Sequence, residues 1–285
     1  MKTLLERSKG SALDIFVAHG YTTMDCFRPE NLALLSPHAQ RIGDIFFVYN
    51  YWADVQKLSE VASGPLPLLR TLKINITYEA NHFGPVVTTP PSLPLFPGAV
   101  NLRKFCLHSE GLPFLDRFIF PNLTTLELTA MPKEGFPGSQ LLNFLEASPI
   151  LRTVSIRIEA DVLLGDVTLG RVVILPNVKT FNLSMGEGGP GCKIATHISC
   201  PSARLASLRY EQDVESTMSP EIFPTSVSWN AIASQYSTSR VDEIVLGIMA
   251  TDDPILVCSL SFLSPGPAVS DWISTLPQEA TGFIR

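Results

Sequence analysis

Long apolar runs are missing from this sequence. None approaches the about 18 uninterrupted residues that a membrane-spanning helix needs, so no transmembrane helix is expected. The opening MKTLLERSKGS carries a lysine but no apolar stretch of signal-peptide length behind it. Charge is also sparse: 17% of residues are Asp, Glu, Lys or Arg, the net charge is -6, and no block of five like charges occurs. A nucleic-acid binder would show a basic patch or stripe, which this composition argues against. The five cysteines (Cys26, Cys106, Cys192, Cys200, Cys258) are scattered and odd in number, which fits a reducing compartment and no disulfide framework. With no secretory signal, the Asn-x-Ser/Thr matches at Asn75, Asn122 and Asn182 are expected to be chance, and the chain reads as cytoplasmic or nuclear.

Enzyme signatures are equally scarce. Gly-x-Ser-x-Gly, His-Glu-x-x-His and a dinucleotide glycine fingerprint are all lacking. The glycine-rich stretch LSMGEGGPGCKIAT (183–196) has two glycines, Gly186 and Gly191, at the interval of a phosphate-binding loop. Cys192 then separates glycine from Lys193, Ile194 stands where a magnesium-holding hydroxyl is required, and a proline follows too soon for the helix that should face phosphates. Cys192, His197 and Cys200 lack both zinc-ligand spacing and a fourth ligand. Cys106 and His108 share a strand face, but no third group can be placed to orient a Cys/His nucleophile pair. No catalytic residue, cofactor or metal is therefore expected.

What is present is a repeat. An apolar-x-x-apolar-x-apolar pattern recurs as Ile42-Ile45-Phe47, Leu69-Leu72-Ile74, Leu102-Phe105-Leu107 and Leu123-Leu126-Leu128. It continues as Leu151-Val154-Ile156, Val178-Phe181-Leu183, Leu205-Leu208-Tyr210 and Val241-Ile244-Leu246. Several intervals fall near the roughly 20–29 residues of leucine-rich repeats. Proline precedes the first apolar position by two residues at Pro67, Pro121, Pro149 and Pro176, with looser versions at Pro97 and Pro201. Because proline cannot donate to a sheet ladder, it marks the entrance of each strand.

The expected fold is α/β: one irregular leucine-rich-repeat-like solenoid over 1–285, with a curved parallel sheet on its concave side and helices or loops on the convex side. Strands are predicted near 12–17, 42–48, 69–76, 102–108, 123–129, 151–158, 178–184, 205–211, 241–248 and 254–262. Returning helices are predicted in YWADVQKLSEVA, with Trp52, Val55, Leu58 and Ala62 on a stripe, and in SQLLNFLEA, with Leu141, Leu142 and Leu145 inward and Ser139 as N-cap. A third is predicted in SVSWNAIASQY, through Trp229, Ile232, Ala233 and Tyr236. The segment FGPVVTTPPSLPLFPG, with Pro91 and Pro94 at PxxP spacing, reads as an insertion loop.

Strand alternation defines a candidate surface, because residues between the apolar positions face the concave side. The partner-binding candidates are Lys73, Asn75, Lys104, His108, Glu127, Ser155, Arg157, Asn182, Arg209 and Glu211, among threonines such as Thr71, Thr125, Thr153 and Thr180. The expected ligand is a protein.

The stretches LERSKGSALDIFV, LLSPHAQRIGDI, SGPLPLLRTLKI, FPNLTTLEL, FLEASPILRTVSI and LPNVKTFNL resemble the leucine-rich-repeat region of the large fungal F-box-like protein family, from about Leu5 to Ser264. The resemblance implies a substrate-recognition subunit of a cullin-RING ubiquitin ligase, with the chemistry carried by partner subunits. It also implies an F-box gripping a small adaptor, and that segment would precede this chain. The alternatives kept open are a stand-alone repeat scaffold with no link to ubiquitylation, and an enzyme on an α/β fold.

Overall fold

The computed structural model describes residues 2–8, 10–18, 34–49, 52–61, 64–76, 94–109, 115–131, 136–158, 162–163, 170–185, 192–203, 205–213, 240–249 and 255–263. In it six of the repeats begin with a tight turn. The amides of Leu69, Leu102, Leu123, Leu151, Val178 and Ala203 donate to the carbonyls of Leu66, Ala99, Phe120, Ser148, Leu175 and Cys200, three residues back, at 3.0–3.4 Å. Proline holds the second place of the turn at Pro67, Pro121, Pro149, Pro176 and Pro201, where its fixed φ is already that of a type I or II turn.

A strand follows each turn. The long strands are β1 Leu13–Ala18, β2 Ile42–Tyr49, β3 Thr71–Ile76, β4 Lys104–Ser109, β5 Thr125–Ala130, β6 Thr153–Ile158, β7 Thr180–Met185, β8 Leu205–Asp213, β9 Arg240–Met249 and β10 Ile255–Leu263. They form one sheet, ordered β1-β2-β3-β4-β5-β6-β7-β8-β10-β9. The seven pairings from β1 to β8 are all parallel. The fold is thus α/β, a largely parallel sheet with few helices.

Register aligns the repeats. Ile45, Leu72, Phe105, Leu126, Val154 and Phe181 stand in one row across the sheet, and Phe47, Ile74, Leu107, Leu128, Ile156 and Leu183 in the next. All twelve are buried. Against them pack α1 Lys2–Arg7 through Leu5, α2 Trp52–Val61 through Val55 and Leu58, α3 Gly138–Glu146 through Leu141, Leu142, Phe144 and Leu145, and α4 Cys192–Ala195 through Ile194. Two short parallel ladders, Val173–Ile174 with Ile198–Ser199 and Phe136–Pro137 with Val162–Leu163, lie outside the main sheet.

Three expectations are corrected. In the seventh repeat Phe181 pairs with Ala206 and Leu183 with Leu208, so the unit reads Ala203-Ala206-Leu208 and not Leu205-Leu208-Tyr210. The turn at Pro201 sets this register, and Ala203, 1% exposed, takes the place that leucine fills elsewhere. The eighth repeat does not continue the parallel series. β10 inserts between β8 and β9, antiparallel to both. Only residues 250–254 separate β9 from β10, enough for a hairpin but far short of the dozen or so residues that a parallel crossover needs. Ser139 is not the N-cap of α3; Pro137 is, with no side-chain cap bond, and Ser139 lies inside the first turn.

The insertion before β4 is anchored on the preceding unit at its described end. Gly98 sits so close to Gly64 that a Cβ there would lie 2.0 Å from the Gly64 carbonyl oxygen, which is why this position has no side chain. Phe96, with φ of 52°, is held in its left-handed conformation by a 2.6 Å hydrogen bond from its amide to the Ser59 hydroxyl of α2. Pro91, the predicted helix at Trp229–Tyr236 and the glycines of residues 186–191 lie outside the described residues.

Candidate functional site

The sheet face opposite the core carries three rows of side chains. The first runs Asp14, Asp44, Thr71, Lys104, Thr125, Thr153, Thr180; the second Phe16, Phe46, Lys73, Cys106, Glu127, Ser155, Asn182; the third Val48, Asn75, His108, Thr129, Arg157, Ser184. Every one of these residues is partly or fully exposed, while its strand neighbours point into the core. Period-two alternation on the five consecutive strands β3 to β7 in identical register therefore builds one continuous polar face.

The predicted candidates all fall on this face or in its register. Lys73, Glu127, Ser155 and Asn182 share the second row; Asn75, His108 and Arg157 share the third. Arg209 continues the third row opposite Ser184, while Glu211 lies beyond the end of β7 and pairs with Val257. Lys104 and Glu127 are in direct contact, and the candidates as a set are spread over successive strands from β3 to β8, a surface and not a compact centre.

That contact is the most organised part of the face. Lys104 Nζ donates to Glu127 Oε1 at 2.5 Å, and the Cys106 thiol donates to Glu127 Oε2 at 3.2 Å. The hydrogen bond from Lys104 holds the Glu127 carboxyl below its ordinary range, and the same bond holds the Lys104 ammonium above its own. Burial first, and the bond to Glu127 second, push the Cys106 thiol up to about 12. A thiol held protonated is the opposite of an activated nucleophile, so the Cys106–His108 pair gains no chemistry from its surroundings. Asn75 Oδ1 is buried without a hydrogen-bond partner among the described residues.

The other sequence candidates resolve as structural groups. His197 Nδ1 donates to the Arg171 carbonyl at 2.7 Å, and Cys200 is fully buried, which pushes its thiol up to about 12. No group of three or more His, Cys, Asp or Glu able to hold a metal occurs among the described residues. Of the Asn-x-Ser/Thr matches, Asn122 uses its amide to donate to the Val100 carbonyl at 2.8 Å.

Sequence reasoning passed over the end of the face at β1 and β2. There a groove of about 420 Å³ is lined by Asp14, Phe16, Asp44, Phe46, Thr71, Lys73 and Lys104, with Ile15 and Ile45 at its base. The Phe16 and Phe46 rings lie 4.9 Å apart and tilted by 36°, and Phe16 is 66% exposed. The signal was legible in LDIFVA: alternation places Asp14 and Phe16 outward once Ile15 and Val17 are inward.

No protein-family model matches the chain, and the search of curated proteins finds no match. No helix among the described residues is long and apolar enough to cross a membrane.

Proposed function

We propose that this chain is a non-enzymatic, leucine-rich-repeat-like solenoid that binds a protein partner on the polar face of its sheet, the concave side in that architecture. The observation that carries the reading is the continuous face itself: polar rows in unbroken register across parallel strands, at residues partly or fully open to solvent. Stacked-repeat proteins use such a face for recognition, because it offers an extended, regularly spaced surface on a rigid support. The resemblance to the F-box-like family supports a more specific role, the substrate-recognition part of a cullin-RING ubiquitin ligase, working in the cytoplasm or nucleus. In that role an F-box outside these residues contacts the adaptor, and the face described here holds the protein to be modified.

Site-specific photo-crosslinking tests the surface. A photoreactive side chain placed at Ser155 or Thr129 is expected to give a discrete adduct in cell extract, whereas one at the exposed Glu60 of α2 is not. Joint replacement of Arg157 and Arg209 by alanine is expected to weaken capture of the crosslinked partner by about tenfold. Equal labelling from all three positions, or adducts from Glu60 alone, would defeat the assignment. Pull-down of the cullin-ligase adaptor by the chain, with and without any coding sequence found upstream, separates the ligase role from a stand-alone scaffold. Binding in either form supports the former, and adduct formation without adaptor binding in both favours the latter.

A further inference from the structure

The groove at β1 and β2 has a chemistry distinct from the rest of the face. Asp14 and Asp44 are register partners on neighbouring strands, which lie about 4.8 Å apart. Both are exposed, and neither has an ion pair or hydrogen bond among the described residues. Like charges directly across from each other repel, a small penalty that a cation shared between them would remove. Two positions along the same strands stand Phe16 and Phe46, with the Phe16 ring largely bare. The groove therefore presents two carboxylates with no ion pair among the described residues beside an open aromatic surface, with Lys73 and the Glu127-paired Lys104 on its β3 and β4 side.

The possible occupants differ in what they would use. A phosphate or carboxylate ligand would face two repelling anions. A metal ion would find two carboxylates without a third His, Cys, Asp or Glu among the described residues, and the aromatic wall would contribute nothing. A lysine ammonium would neutralise the carboxylates but, as a compact point charge, gain less from the ring. A guanidinium uses all of it: its fork donates to two carboxylate groups at once, and its plane stacks on an aromatic face. Lys73 closes the groove toward β3 and is not occupied by an ion pair among the described residues, so a second cation is unwelcome there and the site selects one.

We propose that this groove takes an arginine side chain of an extended protein segment, the guanidinium bridging Asp14 and Asp44 and lying against Phe16. The assignment rests on the reading of the face as protein-binding and gives that partner's chemistry at one end of it: a single arginine flanked by uncharged residues.

The test uses the purified chain and three fluorescein-labelled peptides of otherwise glycine and serine, each with one central arginine, lysine or glutamate, followed by fluorescence anisotropy. The arginine peptide is expected to bind at least about fivefold tighter than the lysine peptide, and the glutamate peptide not measurably. Asp14→Asn with Asp44→Asn is expected to weaken the arginine peptide by about tenfold or more. Phe16→Leu should shrink the arginine–lysine difference, since the stacking surface is what separates them. Lys73→Gln should tighten binding by about threefold, because it removes a repelling charge; a gain of affinity cannot come from misfolding.

Indistinguishable arginine and lysine binding that ignores Asp14 and Asp44 would report only diffuse attraction to an acidic chain and overturn the proposal. So would absence of arginine binding at millimolar peptide. If the titration fails while adducts from Ser155 and Thr129 persist, the groove assignment is wrong and the recognition surface stands. If the titration succeeds and those adducts are missing, the groove is a site in its own right and the wider surface is not.

Discussion

Glu127 bonds both Lys104 and Cys106 of β4 and shifts the protonation of each, for Cys106 second to burial, and the consequence can be followed through pH. Its carboxyl titrates below its ordinary value of 4.5 in the folded chain, so its contribution to stability is present above pH 4.5 and disappears as pH falls through the lowered value. Lys104 titrates above its ordinary 10.5, so its contribution is complete below that pH and disappears as pH rises through the raised value. Together they stabilise across the neutral range. The side chains are 36% and 49% exposed, and water screens the pair, so Glu127→Gln is expected to cost no more than about 1 kcal/mol at pH 7 in urea unfolding. The larger effect falls on Cys106. With its thiol pushed up to about 12, Cys106 should resist iodoacetamide at pH 8, as followed by mass spectrometry of its own peptide. Glu127→Gln removes the negative charge that opposes the thiolate and should speed that labelling severalfold, with burial still holding it below a free thiol. Rapid alkylation of Cys106 in the unaltered chain would contradict the arrangement. None of this pairing was legible in the sequence, because Lys104 and Glu127 stand 23 positions apart and meet only through strand register.

At the scale of the element, the repeat was legible where side chains enforce a period and obscure where backbone geometry does. Buried Leu, Ile and Phe every second residue announce a strand whatever its partners, and the outward residues from Thr71 to Ser184 follow from the same alternation. The seventh unit slipped by two residues because Ala203 and Ala206 are too small to stand out beside Leu205 and Leu208, although the turn at Pro201 fixes the register. The β9–β10 hairpin escaped because apolar spacing carries no information about strand direction; the five-residue gap at 250–254 does. The turns contain a further device that periodicity could not show. Asn101, Asn122 and Asn177 occupy the third place of their turns and donate back to Pro67, Val100 and Pro149, the second place of the turn before, at 3.0, 2.8 and 3.1 Å. Each asparagine bolts one unit to its predecessor. Replacing any one with alanine is expected to lower stability by about 0.5–1 kcal/mol in urea unfolding, since these bonds lie at the exposed margin. The Asn101 and Asn177 effects should add, because several strands separate the two sites. Unchanged midpoints in all three variants would show that water replaces these bonds at no loss.

For the molecule as a whole, the open question is whether the stacked units unfold as one block or as neighbours. Phe105 is the place to ask, because it ties several units together: its ring lies 4.9 Å from Phe118, 5.2 Å from Phe120 and 5.9 Å from Phe144 of α3. All four rings are buried, and no side chain of smaller volume could fill the gap. Phe105→Ala is therefore expected to cost about 3–5 kcal/mol, the usual sum of lost transfer energy and a residual cavity. Where that loss appears distinguishes the two possibilities. In a solenoid each repeat contacts only its neighbours, so stability is a sum of local and nearest-neighbour terms. Amide hydrogen exchange in Phe105→Ala should then lose protection in β4, β5 and β6, the strands of the units whose turns and helix supply the aromatic cluster, and retain more of it in β2 and β7. A uniform loss from β2 to β7 would instead mean that the continuous sheet and its single core open together, and the nearest-neighbour picture of this fold would have to be given up.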